Sequence, residues 1–156
     1  MTKVFIGTHR QVGELCIEWA RQNMPEGFEL VGNFQDCDIF ISVLYDRLLS
    51  EGEIRSKQKC FNFHPGILPY HRGSGSYSWV IINNEQLAGV TLHEIDQSID
   101  HGKIINIRTF PVKPDSTAGT LFEEAEQWIH AMFRGWFDAI LTGKYKAEEQ
   151  NESIAR

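Results

Sequence analysis

Ile39-Phe40-Ile41-Ser42-Val43-Leu44 is a continuous apolar run rich in β-branched residues. A run of that kind suits a strand covered on both faces, as in the centre of a parallel sheet. Working outward, Val4-Phe5-Ile6-Gly7 reads as a second buried strand closed by a glycine. Cys60-Phe61-Asn62-Phe63-His64 reads as a third, stopped by Pro65-Gly66. After the Val4 strand, Val12, Leu15, Cys16, Trp19 and Ala20 recur at helical spacing, which predicts a helix over 12–23 ended by Pro25 and Gly27. A short strand over 28–31 and a short helix over 48–55 complete the first half.

The second half changes character. A helix is predicted over 76–83, with a turn at Asn83-Asn84. Gly89 to His93 and Lys103 to Ile107 read as a strand pair whose loop carries Asp96, Asp100 and Gly102. A long helix follows, with capping-box spacing at Thr120 and Glu123. Its stripe of Leu121, Phe122, Ala125, Trp128, Ile129, Met132, Phe133, Trp136, Phe137 and Ile140 is that of a helix packed on a sheet. A homodimer contact is the other reading, since aromatic patches tend to be interfaces. The tail over 146–156 is charged and expected to fray. Strands alternating with helices predict an α/β class. The expected fold is Rossmann-like, a mostly parallel twisted sheet flanked by helices, with a C-terminal strand pair and a long terminal helix. Residues 1–145 are read as one domain.

Composition narrows the function classes. At 156 residues, 42% apolar and 23% charged, the chain has enough core to fold unaided, so disorder and low complexity are poor readings. Its net charge of −6 disfavours a general nucleic-acid binder. Three cysteines, Cys16, Cys37 and Cys60, make an odd count without a C-x-x-C pair. This points away from a disulfide framework or structural zinc and toward a cytoplasmic, reducing compartment. No secretory leader pattern opens the chain, and no apolar run is long enough to span a bilayer. No His pair has the helical zinc spacing, so no metal is expected.

The chemistry concentrates in Asn62-Phe63-His64-Pro65-Gly66 and the segment after it. Residues two apart on a strand share a face. Asn62 and His64 would therefore sit side by side at the carboxyl end of a strand, where open α/β sheets bind ligands. An Asn amide donates without titrating and stabilises an oxyanion by about 2.7–4 kcal/mol per donor. A neighbouring His donates a second bond or shuttles a proton near neutral pH. A carboxylate close by would raise the His pKa and orient the ring. Taken alone, Asn62 and His64 also fit a satisfied polar pair, and Asp100 a turn before Gly102.

Extended to Leu68, Pro69, Arg72, Gly73, then Gly89-Val90-Thr91, His93, Asp100 and Gly102, the pattern resembles the signature of the folate-dependent formyltransferase family. The match runs from about Asp38 to Val112. The resemblance implies 10-formyltetrahydrofolate as the one-carbon donor and cosubstrate, with a small-molecule amine as acceptor. It implies that Asn62 and His64 hold the oxyanion, and that Asp100 sets the protonation of His64. It places the pterin between Leu44 to Leu49 and Glu94 to Asp100. Leu44, Tyr45, Asp46, Leu48, Ile95, Asp96 and Ser98 are then the candidate folate contacts. His93 is expected to be structural, and His71 and His101 to be loop contacts.

Relative to that family, the half before Asn62 is expected to be short by one β-α unit. Thr8, His9 and Arg10, after the first strand, are candidate acceptor contacts, or else a plain strand-to-helix turn. Arg72 is either a phosphate or substrate contact or an anchor for its loop. The acidic balance and the end of the resemblance near Val112 set a tRNA acceptor aside. A nucleotide-linked amino sugar is then the first expectation, with no nucleic acid and no membrane as partner. Glycinamide ribonucleotide, hydrolysis of the formyl donor, and non-catalytic folate binding are the alternatives.

Overall fold

The computed structural model describes residues 1–155. Its elements run β1 (Thr2–Gly7), α1 (Gln11–Gln22), β2 (Phe28–Leu30), β3 (Ile39–Val43), α2 (Glu51–Arg55), β4 (Lys59–His64), α3 (Ser76–Ile82), β5 (Leu87–Glu94), β6 (Ile104–Pro111) and α4 (Ala118–Thr142), with a 3-10 turn at Glu152–Ile154. One sheet holds all six strands in the order β2-β1-β3-β4-β5-β6. The first four pair in parallel, and β5 and β6 add antiparallel. The mostly parallel sheet with a terminal strand pair is thus as the sequence predicts, and β3, its third strand, is buried at every residue.

Strand alternation sorts the core into two layers. Ile39, Ile41, Val43, Phe61 and Phe63 face α1, α3 and α4, where Phe133 and Phe137 pack against Trp19. Phe40 and Cys60 face the opposite layer, with Phe34, Leu49, Ile54 and Ile95. Asn62 shares the parity of Cys60, so it lies in the second layer. The α4 stripe is spent on this chain's own core: Leu121, Ala125, Ile129, Met132, Phe133, Phe137 and Ile140 are buried, and Trp128 and Trp136 lie against the same cluster.

Three details differ from the sequence expectation. Helix α2 starts at Glu51, because Ser50 and Glu53 form a reciprocal capping box that ends the loop. Helix α4 is capped one turn earlier than Thr120, by Thr117, whose side chain accepts from the Thr120 N–H while Thr120 accepts from the Thr117 N–H. The tail expected to fray over 146–156 is docked as far as it is described. Glu148 exchanges two backbone hydrogen bonds with Ile104, and Gln150 is 8% exposed. Glu152 pairs with Arg72 on the loop after β4 and with His101 on the loop after β5, Glu149 lies 3.8 Å from Lys103, and residue 156 lies outside the described residues. No helix among the described residues is long and apolar enough to cross a membrane.

Candidate active site

Pairing register builds the site. Ser42, Asn62 and His93 are cross-strand partners on β3, β4 and β5, and Thr91 pairs with His64 one step along. This polar row lies where β3 and β4 end. Gly66 lets the chain turn there: a Cβ on it would stand 2.8 Å from His64 Nε2 and 2.7 Å from Ser76 Oγ. The Leu68-Pro69 peptide is cis. His93 Nδ1–H donates to the Glu94 carbonyl at 2.7 Å, which leaves Nε2 to accept from Asn62 Nδ2 at 3.1 Å. One of the two Asn62 N–H groups is thereby occupied and the other is free for a ligand.

His64 is 3% exposed. Its Nε2–H donates to the His71 carbonyl at 2.6 Å, so Nδ1 is the open nitrogen. Asp100 Oδ1 lies 3.5 Å from that Nδ1 and 3.6 Å from His93 Nε2. Asp100 Oδ2 accepts the Gly73 N–H at 2.8 Å. Burial pushes the His64 pKa below its ordinary value, outweighing the neighbouring Asp100 charge that pulls it up. Burial also pushes Asp100 up, but contact with His93, the charge of His64 and the Gly73 N–H more than offset it, leaving the carboxyl below its ordinary range. The resting pair is thus a neutral imidazole facing a carboxylate. A proton delivered to Nδ1 would be held between them. In this arrangement the His64 Nε2–H is committed to a backbone carbonyl, and Nδ1, beside Asp100, is the nitrogen left to take or give a proton.

Asn62, His64 and Asp100 line a cleft of about 760 Å³. Leu44, Tyr45, Asp46, Leu48, Ile95, Asp96 and Ser98 line it too, with Phe40, Leu49 and Ile54 from the second core layer. Its other wall is Arg10, Ser74 to Ser78, Ala118 and Phe122. All the candidate folate contacts are therefore brought together. The candidate acceptor contacts are not. Arg10 lines the cleft, with its guanidinium over the Phe122 ring and 3.6 Å from Glu126. Thr8 and His9 do not line it. Thr8 Oγ1 accepts from the Arg10 N–H. His9 stacks on Tyr45 and accepts the Asp46 N–H on Nδ1, so it braces the loop after β3. Arg72 also stays out of the cleft: it donates to Gln150 and Glu152, the anchoring role of the two readings.

Two members stood in the sequence pattern without a role at the site, and one was not read at all. His93 belongs to the cluster because antiparallel pairing sets it opposite Asn62, and its position two residues after Thr91 was the available signal. Gly73 stood in the signature, but its N–H as a donor to the Asp100 carboxylate was not foreseen, and Gln150 gave no signal in spacing. Among the described residues no group of three metal-ligating side chains is assembled.

An open α/β sheet thus brings Asn62 and His64, at the end of β4, together with Asp100 from the loop after β5. The family model described as formyl transferase matches residues 16–134, and the chain belongs to that family. It is 32% identical over 145 residues to a GDP-perosamine N-formyltransferase of Brucella melitensis, covering 85% of this chain and 55% of that protein. A methionyl-tRNA formyltransferase of Geobacter sulfurreducens is 29% identical over 118 residues, 75% of this chain and 37% of that one. The chain thus spans about half the length, or less, of these curated relatives. Among solved structures, an N-formyltransferase of Helicobacter canadensis in complex with folinic acid and dTDP-3-aminofucose superposes with a TM-score of 0.88 at 22% identity, covering 100% of this chain and 70% of that one. The formyltransferase PseJ of Anoxybacillus kamchatkensis, in complex with a UDP-linked formamido sugar and tetrahydrofolate, gives 0.79 at 23% identity, covering 97% and 82%. Identities this low speak for the fold alone.

Proposed function

We propose that this chain transfers the formyl group of 10-formyltetrahydrofolate to a primary amine, with a nucleotide-linked amino sugar as acceptor. The observation that carries the reading is the Asn62–His64–Asp100 cluster at the floor of a cleft lined by the segments expected to hold the pterin. Relatives named as sugar N-formyltransferases, and fold neighbours in complex with a folate and a nucleotide sugar, support the donor and acceptor classes.

The residues divide the work. The free N–H of Asn62 meets the formyl oxygen as the amine nitrogen bonds to the formyl carbon and negative charge develops there. The proton lost by the amine goes to His64 Nδ1, where Asp100 stabilises the imidazolium. Collapse then breaks the bond between the formyl carbon and N10, and N10 takes the proton back from His64, which returns to the neutral imidazole. No side chain is acylated. The apolar wall of Phe40, Leu49, Ile54 and Ile95 suits a flat heterocycle. Arg10, on the opposite wall, is placed to meet an anionic acceptor.

The test is release of tetrahydrofolate from 10-formyltetrahydrofolate across a panel of nucleotide-linked amino sugars and glycinamide ribonucleotide. Acceptor-dependent release with an amino sugar is expected. Formate production without an amine, faster than with any of them, would select hydrolysis. Folate binding without turnover in either format would refute the transfer reading.

A further inference from the structure

We propose that Gln150, on the segment after the long terminal helix, is a positioning residue that holds Asp100 in place for the reaction. This rests on reading Asn62, His64 and Asp100 as the transfer site. Gln150 lies outside the matched family region and 50 residues from Asp100 in the chain. Its amide is nevertheless almost wholly buried, and every polar function on it is used. Nε2 donates to the carbonyls of Asp100 and Gly102, both at 2.8 Å. Oε1 accepts from Arg72 Nη2 at 2.8 Å and Nε at 3.1 Å. A primary amide is the one neutral side chain that both donates two such bonds and accepts two.

The two segments it joins are those that place the Asp100 carboxylate. One is the Asp100 loop itself, where Asp100 sits at φ 51°, a left-handed conformation uncommon for residues other than glycine though among those aspartate tolerates. Gly102 is wedged in the same loop, with no room for a Cβ against the Glu94 carbonyl. The other is Arg72-Gly73, whose Gly73 N–H donates to Asp100 Oδ2. Gln150 therefore ties the backbone of Asp100 to the donor of its carboxylate. Glu152 extends the tie by pairing with Arg72 and with His101, which in turn meets Asp96. Without the amide, the carbonyls of Asp100 and Gly102 lose their shared donor, and the gap of 3.5 Å between Asp100 and His64 is free to widen.

The test compares Gln150→Met, which keeps volume and drops all four bonds, with Gln150→Glu, which sets a carboxylate against the two carbonyls. Two readouts are needed. The first is kcat and KM for the formyl donor and the amine. The expected result is a fall of about 10- to 100-fold in kcat with both KM values close to wild type, as for a slightly misplaced catalytic group. The second needs no turnover: NMR titration of the His64 imidazole, which faces Asp100, His93 and His71. Its midpoint should move down in both variants as the Asp100 charge recedes. A variant with a lower melting temperature but unchanged kcat and an unchanged His64 midpoint would overturn the proposal, because Gln150 would then only hold the tail. If wild type transfers to no amine, the proposed function fails, and the His64 titration still decides the role of Gln150. If Gln150→Met fails to fold, Gln150→Glu and Arg72→Lys, which keeps the charge but loses the planar guanidinium, carry both readouts, with the same changes expected and the same unchanged values overturning it.

Discussion

Replacing Asn62 with alanine separates catalysis from folding. In the folded chain the Asn62 amide gives one N–H to His93 Nε2 at 3.1 Å and has a second to offer a ligand. The first bond is part-buried, so its loss costs about 1 kcal/mol of stability. For a chain of this length that lowers the melting temperature by about 2–4 °C. The second N–H is the one proposed to meet the developing oxyanion, and loss of such a donor removes about 2.7–4 kcal/mol from transition-state stabilisation. The expected outcome is therefore a fall of about 100- to 1,000-fold in kcat beside a nearly wild-type melting curve. Stopped-flow absorbance of tetrahydrofolate release under single-turnover conditions measures the chemical step, and calorimetry measures the melt. Turnover within about threefold of wild type, in a protein that melts normally, would refute the oxyanion role and reduce Asn62 to a prop for His93.

Three further outcomes follow from the geometry. First, His64 titrates below its unfolded value near 6.5, so the unfolded chain binds that proton more tightly; its stabilising contribution is fully present above pH 6.5 and is lost as pH falls through the folded value. Asp100, held below 3.8, adds a second loss at lower pH, and denaturant melts should show His64→Gln flattening the upper limb, whose slope is at most about 1.4 kcal/mol per pH unit. Second, Gly102→Ala brings a Cβ against the Glu94 carbonyl and must displace the Asp100 loop; kcat should fall while a core melt persists, measured by the same assay and calorimetry. Third, Arg10→Ala should raise KM for the amine several-fold and leave KM for 10-formyltetrahydrofolate unchanged, read from initial rates with each substrate varied.

Much of the scaffold was legible because burial on both faces writes itself as an unbroken apolar run. Ile39 to Val43 reads that way, and the period-2 alternation of β4 places Asn62 and His64 on one side of a Phe61–Phe63 face buried in the core. The cleft wall built from Leu44 to Leu48 and Ile95 to Ser98 was legible through resemblance, since its residues lie in two contiguous segments. The acceptor side was less so. Thr8, His9 and Arg10 are adjacent in the chain, yet the turn before α1 sends only Arg10 into the cleft while His9 stacks on Tyr45. Arg72 admitted two readings, and its choice depended on a tail whose charges looked like those of a frayed end.

The sequence by itself determined the element types, the parallel core and the placing of Asn62 and His64 at one strand end, because each of these follows from local periodicity, whereas Asp100 was reached only through the family resemblance. Tertiary structure decided how those groups are wired. The register of β4 against β5 makes His93 the partner of Asn62, and the closeness of His71 O to His64 Nε2 leaves Nδ1 as the open nitrogen. The packing of residues 148–152 against two distant loops sets Asp100 in its turn. Such contacts join residues separated by 7 to 80 positions, and no periodicity within a segment encodes them.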